Sequence, residues 1–575
     1  SNPLSIRYNM PVMITFPQKV DGKRVEDVFG QLIRRHEVLR TRFVMHNGIA
    51  CQQVLDCINP DFVYEKFEGE KLSDEYLKSF IKPFKLADAN SIRMKLIELF
   101  DRSVILLDTH HIVFDGMSMS VFADEFSRLY SGGLLEPVGR QYKDYSEWIL
   151  KRDMELYKKY WMEIFEGDIP VLDMTYDYQC DAMNSEDGGV CSYVISELLT
   201  SEIKKAAVNW DVTEYMLLLS AVMIVLSRYS RQDDIVVGTP TAGRTHRDTE
   251  NMLGMFVNTI ALRAHPSAGK KYSEFLSEIK DICIKSYENQ DYPFEELVDN
   301  LGLGCKKNQN PLFDVMFVLQ NNEKPCFDFS GIIGEMCEIS NNIAKFDLTF
   351  NFSYNENQNY VLSCEYKTSR FDKASIEKLI EHTVSILEEI CVSYDQTIGG
   401  FKMITEEERT NILGLYNRTS MLYPKNKSIG QLFEEQLEER SSNIAIVFQE
   451  RELSYRELDK KSNALAHKLR DAGVERNDFV GIMSDKSIEQ IIAILAIIKS
   501  GGAYVPIDPN YPEARINYIM NDSKPKVILL NHEYSCNIES IKMRLDDSSI
   551  FVGDTDPIDN VNQPDDNAYV MYTSG

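Results

Sequence analysis

Short apolar runs and amphipathic segments alternate along the first part of the chain. Residues 13–16 have the two-residue period of a strand, and residues 25–36 place apolar side chains at helical spacing. Residues 104–108 form an apolar run that ends in polar residues and predicts a buried strand, and residues 116–130 predict a helix. The longest apolar stretch, residues 215–227, is too short to cross a bilayer and predicts a buried helix. This mixture predicts an α/β fold.

Two polar breaks divide the chain. Residues 177–189 lack apolar periodicity and are rich in Asp, Asn, Ser and Gly, which predicts a crossing between two lobes. Residues 416–428 carry Asn, Ser and Pro and predict a linker. We therefore expect a first lobe over residues 1–176, a second lobe over 177–400 with strands near 235–238 and 346–354, a linker over 401–428, and a separate unit over 429–575.

Beyond the second break, short strands alternate with helices, which is typical of a parallel, doubly wound sheet. The predicted strands are residues 480–483, 505–507 and 527–530, and the predicted helices are residues 429–440, 455–472, 488–499 and 512–521.

Composition and charge restrict the class of function. The chain has 62 Lys and Arg against 89 Asp and Glu, a formal charge of −27, which would repel a nucleic acid. Its 11 cysteines are odd in number and contain no Cys-x-x-Cys pair, so we expect no disulfide framework and favour the reducing cytosol. No basic and then apolar signal opens the sequence, and we expect a cytoplasmic location without membrane contact.

The strongest chemical signal follows the buried strand predicted at residues 104–108. Residues 109–116 read THHIVFDG, so His110 and His111 lie at a strand end, with Asp115 and Gly116 just beyond. Adjacent residues of a strand point to opposite faces, so only one histidine can face a given cavity. Metal ligation is disfavoured because no Cys, Glu or further His follows at ligand spacing. An acid–base role and an ordinary structural role stay open from these residues alone.

The pattern HHxxxDG resembles the catalytic motif of the condensation domains of nonribosomal peptide synthetases, which share it with chloramphenicol acetyltransferase-like acyltransferases. Further elements resemble that family, in the family's order, across residues 8 to about 400. They are residues 8–11 (YNMP), 35–43 (RHEVLRTRF), 142–148 (YKDYSEW), 238–240 (GTP), 242–244 (AGR), 254–263 (GMFVNTIALR), 289–295 (NQDYPFE) and 310–313 (NPLF).

The resemblance implies two chloramphenicol-acetyltransferase-like lobes in a V with a tunnel between them. A donor acyl or peptidyl thioester and an acceptor aminoacyl thioester would enter from opposite sides on the phosphopantetheine arms of upstream and downstream peptidyl carrier proteins. We expect His111 to face the chemistry as base or positioner, and His110 to support it. The resemblance also implies that Asp115 pairs with an arginine, for which we expect Arg263, and that Gly116 supplies backbone room or an N–H near the reacting carbonyl.

One element departs from the family pattern. The segment that the family writes as RDxSRNPL reads CKKNQNPL at residues 305–312, so both arginines and the aspartate are replaced, while Asn310 is retained as a supporting residue. Any role carried by the replaced positions is therefore in doubt.

The last third of the chain resembles the beginning of an adenylation domain. Residues 453–458 (LSYREL) and 499–509 (KSGGAYVPIDP) resemble its first two motifs. The final residues, Thr573, Ser574 and Gly575, resemble the first half of its phosphate-binding loop, in which backbone N–H groups cradle phosphates. The resemblance implies an incomplete adenylation subdomain, and we expect these 575 residues to have no ATP-dependent activity.

Four alternatives accompany the amide-forming interpretation. An epimerisation domain shares HHxxxDG, but the residues at 254–259 and the adenylation piece favour condensation. Heterocyclisation is disfavoured because His110 is retained where those enzymes carry Asp. A non-catalytic domain that docks carrier proteins stays open because of the altered segment at 305–309. A free-standing CoA-dependent acyltransferase fits least, because the appended piece indicates an assembly line.

Overall fold

The computed structural model describes residues 5–178, 187–304, 310–321, 325–339, 342–531 and 540–573. The chain divides into two compact units, Ser1–Asn417 and Arg418–Gly575. The altered segment at 305–309 lies outside the described residues, as do Ser574 and Gly575.

The first unit is a mixed α/β structure, as the residue pattern predicts. Its described strands are β1 (Asn9–Phe16), β2 (Thr41–His46), β3 (Ile49–Val54), β4 (Asp61–Lys66), β5 (Ile92–Glu98), β6 (Ser103–His110), β7 (Gly188–Val194), β8 (Ile235–Thr241), β9 (Asn258–Ala264), β10 (Val315–Gln320), β11 (Phe327–Asp328), β12 (Ile333–Glu338), β13 (Leu348–Tyr354) and β14 (Tyr360–Lys367). Its helices are α1 (Gly22–Arg35), α2 (Asp74–Phe80), α3 (Gly116–Tyr130), α4 (Tyr142–Leu150), α5 (Glu155–Ile164), α6 (Glu197–Asn209), α7 (Glu214–Ser230), α8 (Tyr272–Glu288), α9 (Phe294–Asn300), α10 (Lys373–Val392) and α11 (Glu406–Thr410).

Two six-stranded sheets organise this unit, with the strand orders β11-β12-β1-β6-β5-β4 and β7-β14-β13-β10-β8-β9. Each sheet has its own apolar core. Strand β6 lies between β1 and β5, and both neighbours are antiparallel to it. Because β6 is central, seven of its eight residues are buried, and only His110 at its end is half-buried. The His pair therefore lies at the end of a central, buried strand.

The position of the hairpin of β11 and β12 differs from the one that the predicted division into lobes gives it. Residues 327–338 fall in the range expected for the second lobe, yet β12 pairs with β1 in the first sheet, with Val12 opposite Glu338. Strand pairing between residues so distant along the chain depends on tertiary packing, which local periodicity cannot report.

The apolar stretch at 215–227 forms the buried helix that the sequence predicts. Helix α7 is apolar on all sides, and its residues belong to the core of the second sheet. Within the described residues no single helix is long and apolar enough to cross a membrane. Helices α6 and α7 reach that length and composition only as a pair, which is bent by 109°.

The second unit contains the parallel sheet that the alternating pattern predicts. The described elements are strands β15 (Ile444–Phe448), β16 (Arg451–Ser454), β17 (Phe479–Met483), β18 (Ala503–Ile507), β19 (Val527–Leu530) and β20 (Ile541–Arg544), and helices α12 (Ile429–Arg440), α13 (Tyr455–Asp471), α14 (Ile488–Ser500) and α15 (Glu513–Ser523). Strands β17, β18, β19 and β20 form the parallel sheet in the order β18-β17-β19-β20, and every neighbouring pair is parallel.

Candidate active site

The two histidines mark the junction between β6 and α3. The strand ends at His110, so His111 already belongs to the turn, and strict strand alternation does not decide its direction. The backbone N–H of His111 donates to the carbonyl of Tyr8 at 2.8 Å. The Nδ1 atom of His110 accepts from the N–H of Ile112 at 3.1 Å. Both histidines are therefore held by backbone contacts within the first sheet.

Asp115 ends the turn and begins the helix. Its Oδ1 atom accepts from the N–H of Ser118 at 2.7 Å, which makes Asp115 the N-cap of α3. The cap supplies a partner for a backbone donor that the first helical turn leaves free. The HHxxxDG motif therefore includes the residue that caps the start of α3. This explains why the predicted bounds of 116–130 match the helix.

The arginine that meets Asp115 is Arg244, and the predicted pairing with Arg263 is wrong. Arg244 Nη2 lies 3.0 Å from Asp115 Oδ1, and the two side chains are only 4% and 0% exposed. Arg263 instead lies 2.7 Å from Asp234 and donates to the carbonyl of Ile164 at 3.1 Å. The physical reason is that Arg263 is within strand β9, whereas Arg244 follows β8 in a loop that reaches α3.

The loop around residue 255 strengthens the contact between α3 and the second sheet. The Ser118 hydroxyl donates to the carbonyl of Gly254 at 2.8 Å, and the N–H of Phe256 donates to Asp115 Oδ2 at 3.0 Å. The Tyr142 hydroxyl donates to the carbonyl of Met255 at 2.7 Å. Sequence reasoning missed Ser118 and Tyr142 as individual contributors, although Tyr142 lies in one of the recognised elements.

Burial favours the uncharged form of both imidazoles. Burial lowers the pKa of His110 to about 4, and the nearby charges of His111 and Lys345 add to the shift. The pKa of His111 is also lowered, first by burial and then by the charge of Lys345, while backbone hydrogen bonds and Asp115 oppose the change. Neutral imidazoles can accept protons, and this is the state that a general base requires.

A buried carboxylate lies two residues before His110 in β6. Asp108 accepts a hydrogen bond from Asn9 Nδ2 at 2.7 Å and lies 3.6 Å from Arg93 Nε. The Arg93 guanidinium stacks over Phe84 at 3.8 Å, and Phe84 packs edge-on against His110 with ring centroids 6.0 Å apart. Burial raises the pKa of Asp108 to about 7, although Arg93 and Asn9 oppose the shift. The cluster supports His110 from the side of the sheet.

Gly116 leaves open space at the start of α3. A Cβ atom built on this residue would meet no heavy atom within 4 Å, and its backbone is not left-handed. Packing therefore does not require glycine here, which leaves room for a ligand atom close to the backbone.

Two other predicted site residues have contacts of their own. The backbone N–H of Asn310 hydrogen-bonds to the carboxylate of Asp314, whose pKa burial raises to about 6. Thr573 is exposed, and its carbonyl accepts from Arg515 Nη2 at 2.8 Å. Just before Thr573, the chain runs parallel to β18, with Tyr504 opposite Tyr569. Ser574 and Gly575 cannot be placed, since they lie outside the described residues.

The donor set does not resemble a metal centre. Among the residues that the structure describes, no group of three or more His, Cys, Asp or Glu side chains is arranged to hold a metal ion. The two histidines belong instead to a turn that is joined to the second sheet by a buried ion pair.

The family follows from comparison with known proteins. The condensation domain model matches residues 1–413, and the model of AMP-binding enzymes matches residues 433–575. The chain therefore belongs to the condensation-domain family, and it continues into the N-terminal part of an AMP-binding enzyme. This combination is that of nonribosomal peptide synthetases.

Individual relatives are synthases of peptide antibiotics. The chain is 38% identical over 581 residues to bacitracin synthase 3 of Bacillus licheniformis, covering 99% of this chain and 9% of that protein. It is 38% identical over 578 residues to gramicidin S synthase 2 of Brevibacillus brevis, covering 99% of this chain and 13% of that protein. The chain thus spans only a small part of the length of these relatives.

Solved structures show the same fold. A four-domain nonribosomal peptide synthetase bound to AMP and glycine has a TM-score of 0.85 at 22% identity, covering 99% of this chain and 45% of that chain. The first condensation domain of the calcium-dependent antibiotic synthetase has a TM-score of 0.57 at 17% identity, covering 70% of this chain and 95% of that one. At these identities the likeness shows the fold alone.

Proposed function

We propose that the first unit forms an amide bond between two carrier-bound substrates. The α-amine of an acceptor aminoacyl thioester attacks the carbonyl of a donor acyl or peptidyl thioester. A C–N bond forms, the donor C–S bond breaks, and the donor carrier leaves as a thiol after gaining the proton that the amine loses. The chain grows on the acceptor arm.

The observation that carries the proposal is the state of His111. Its imidazole follows the central strand, is fixed by a turn that the Asp115–Arg244 pair anchors, and has a lowered pKa. An imidazole whose uncharged form is favoured can accept the proton of the tetrahedral intermediate, or it can orient the attacking amine. A positioned base contributes about 10²–10⁴-fold to rate, and positioning of two reactants contributes about 7–11 kcal/mol.

The remaining groups have supporting roles in this proposal. His110 is packed against Phe84 and supports the turn, and the open space at Gly116 admits the reacting carbonyl close to the backbone. The substrates arrive on the phosphopantetheine arms of upstream and downstream peptidyl carrier proteins, and the arms are not bound permanently. The residues of the second unit, by themselves, do not activate an amino acid with ATP.

A condensation assay tests the proposal. The polypeptide is mixed with a synthetic donor peptidyl phosphopantetheinyl thioester and an acceptor aminoacyl thioester, and the products are read by mass spectrometry. We expect an elongated thioester on the acceptor arm, and none in a sample without enzyme. A folded protein that gives no product above the uncatalysed level overturns the proposal. Inversion of the donor residue without elongation would identify an epimerisation domain instead.

A further inference from the structure

We propose that Lys345 is a positioning residue for this reaction, whose ammonium group adds to the effect of burial and favours the uncharged form of the His pair, so that His111 can accept a proton. The inference rests on the proposed function and deepens it. Lys345 belongs to the segment that precedes β13 of the second sheet, so the charge reaches the His pair from outside the strand and turn that carry it.

The geometry connects Lys345 to the pair through Tyr8. The Lys345 ammonium lies 5.3 Å from the centroid of the Tyr8 ring, and that ring lies 6.2 Å from the ring of His110. The carbonyl of the same Tyr8 accepts the N–H of His111 at 2.8 Å. Tyr8 therefore lies next to both histidines and to the lysine, and it connects the positive charge with the His pair.

A hydrogen bond from Arg7 holds the backbone at Lys345 in place. Arg7 Nη2 donates to the backbone carbonyl of Lys345 at 3.1 Å. Because Arg7 and Tyr8 are consecutive, the residues before β1 hold the backbone of Lys345 and lie beside its ammonium group. The position of the charge is thus set by a defined contact between the two sheets.

The charged groups around the pair favour the same conclusion. Lys345 lowers the pKa of both histidines, whereas Asp115 raises that of His111. Asp115 is already paired with Arg244 at 3.0 Å, which offsets its negative charge. With the charge of Asp115 offset in this way, Lys345 is a charge that lowers the pKa of both imidazoles in addition to burial.

The charged groups that act on Lys345 itself are the carboxylate of Glu365 and the guanidinium of Arg7. Burial lowers the pKa of Lys345, Glu365 of β14 opposes that shift, and Arg7 adds to it. Burial raises the pKa of Glu365, and the charge of Glu338 on β12 adds to this rise. A lysine in such surroundings keeps its influence on the histidines, since a buried charge is screened less by salt than an exposed one.

The charge of Lys345 should affect how activity depends on pH on the acid side. A protonated imidazole cannot take the proton of the attacking amine, so activity falls as pH drops through the histidine pKa. The charge of Lys345 lowers the histidine pKa, so the fall in activity begins at a lower pH. Removal of this charge should move the acid limb of the activity profile up toward the ordinary histidine pKa of about 6.5.

The test compares Lys345→Met, which removes the charge, with Lys345→Arg, which keeps it. Proteins labelled with ¹³C at histidine are titrated by NMR, and the His111 signal among the nine histidines is assigned by its loss in His111→Ala. We expect the His111 midpoint in Lys345→Met to rise by roughly half a pH unit or more, and the acid limb of kcat/KM to follow it. Lys345→Arg should titrate like the wild type.

Two results separate this inference from the proposed function. An unchanged His111 midpoint in Lys345→Met, or an equal rise in Lys345→Arg, overturns the role of Lys345 whether or not product forms. Absence of product in the wild type overturns the proposed function, while the titration still reports on Lys345. Should Lys345→Met fail to fold by circular dichroism, Lys345→Gln, which keeps a polar end group, carries the same comparison.

Discussion

The carboxylate of Asp115 and the guanidinium of Arg244 lie 3.0 Å apart in the interior of the first unit. Arg244 also donates to the hydroxyl of Ser118 at 3.1 Å and stacks over the ring of Phe256 at 4.1 Å. The pair joins the start of α3 to the loop after β8, and so connects the turn that carries His111 with the second sheet. Its role is to hold the turn in place.

This geometry predicts a loss of stability when one partner is removed. Asp115→Ala or Arg244→Ala leaves the other charge buried and uncompensated, which should lower the free energy of unfolding by about 3–5 kcal/mol. Denaturant titration followed by circular dichroism measures the change. Arg128→Ala is the control, because its pair with Asp124 is exposed at 63% and 56% and should contribute about 0–1 kcal/mol. An Asp115→Ala protein of unchanged stability but without activity would place Asp115 in contact with substrate.

Substitution of His111 should separate activity from stability. His111→Ala removes the proton acceptor, so we expect dipeptide formation with loaded carrier proteins to fall by about 10²–10⁴-fold while the circular dichroism spectrum is retained. The matched control is His246→Ala, since His246 is 55% exposed and lies beside Trp148. Wild-type turnover by a folded His111→Ala protein would contradict the assignment.

Gly116 offers a test of how closely substrate approaches the backbone. Because a Cβ atom there meets no protein atom within 4 Å, Gly116→Ala should leave the melting temperature unchanged or slightly raised. If the reacting carbonyl occupies that space, kcat/KM should fall at least about tenfold, equivalent to about 1.4 kcal/mol of lost transition-state stabilisation. Gly139→Ala, at another glycine with open space, is the control for the substitution itself. Full activity of Gly116→Ala would show that substrate does not approach this position.

We expect the stabilities of the wild type and of Asp108→Asn to depend differently on pH. Its pKa is raised from 3.8 to about 7, so between these values the folded protein keeps a proton that the unfolded chain releases. The free energy of unfolding contributed by this group is therefore fully present below pH 3.8 and is lost as pH rises toward 7. Asp108→Asn has no proton to lose, so its stability should fall less than that of the wild type over this interval.

Thermal unfolding at a series of pH values measures this difference. The exposed Asp124→Asn variant provides the comparison and should follow the wild type. Parallel curves for Asp108→Asn and the wild type would mean that Asp108 is ionised in the folded protein across the interval.

A polypeptide of these 575 residues should not activate amino acids with ATP. A polypeptide of these 575 residues contains only the first three residues of the segment that resembles the phosphate-binding loop. We expect no amino acid-dependent ATP–pyrophosphate exchange above background. The matched measurement uses a longer polypeptide that continues through the rest of an adenylation domain. Exchange by the 575-residue polypeptide would contradict this expectation.

Much of the local structure could be predicted from the residue pattern. Helices α3 and α12 have the predicted bounds, and the buried helix at 215–227 and the strand at 104–108 are both present. These elements were predictable because periodicity and caps act within a few residues: Asp115 both belongs to the HHxxxDG motif and caps α3.

Local periodicity and motifs thus predicted many of the elements, the family and the position of the His pair at a strand end. The packing of the chain placed Arg244 and not Arg263 beside Asp115, joined the β11–β12 hairpin to the first sheet, and brought Lys345 close to Tyr8. These contacts could not be predicted because the residues lie far apart along the chain. Arg244 is 129 residues from Asp115, and contacts of that separation depend on how whole sheets pack, which no local spacing of residues encodes.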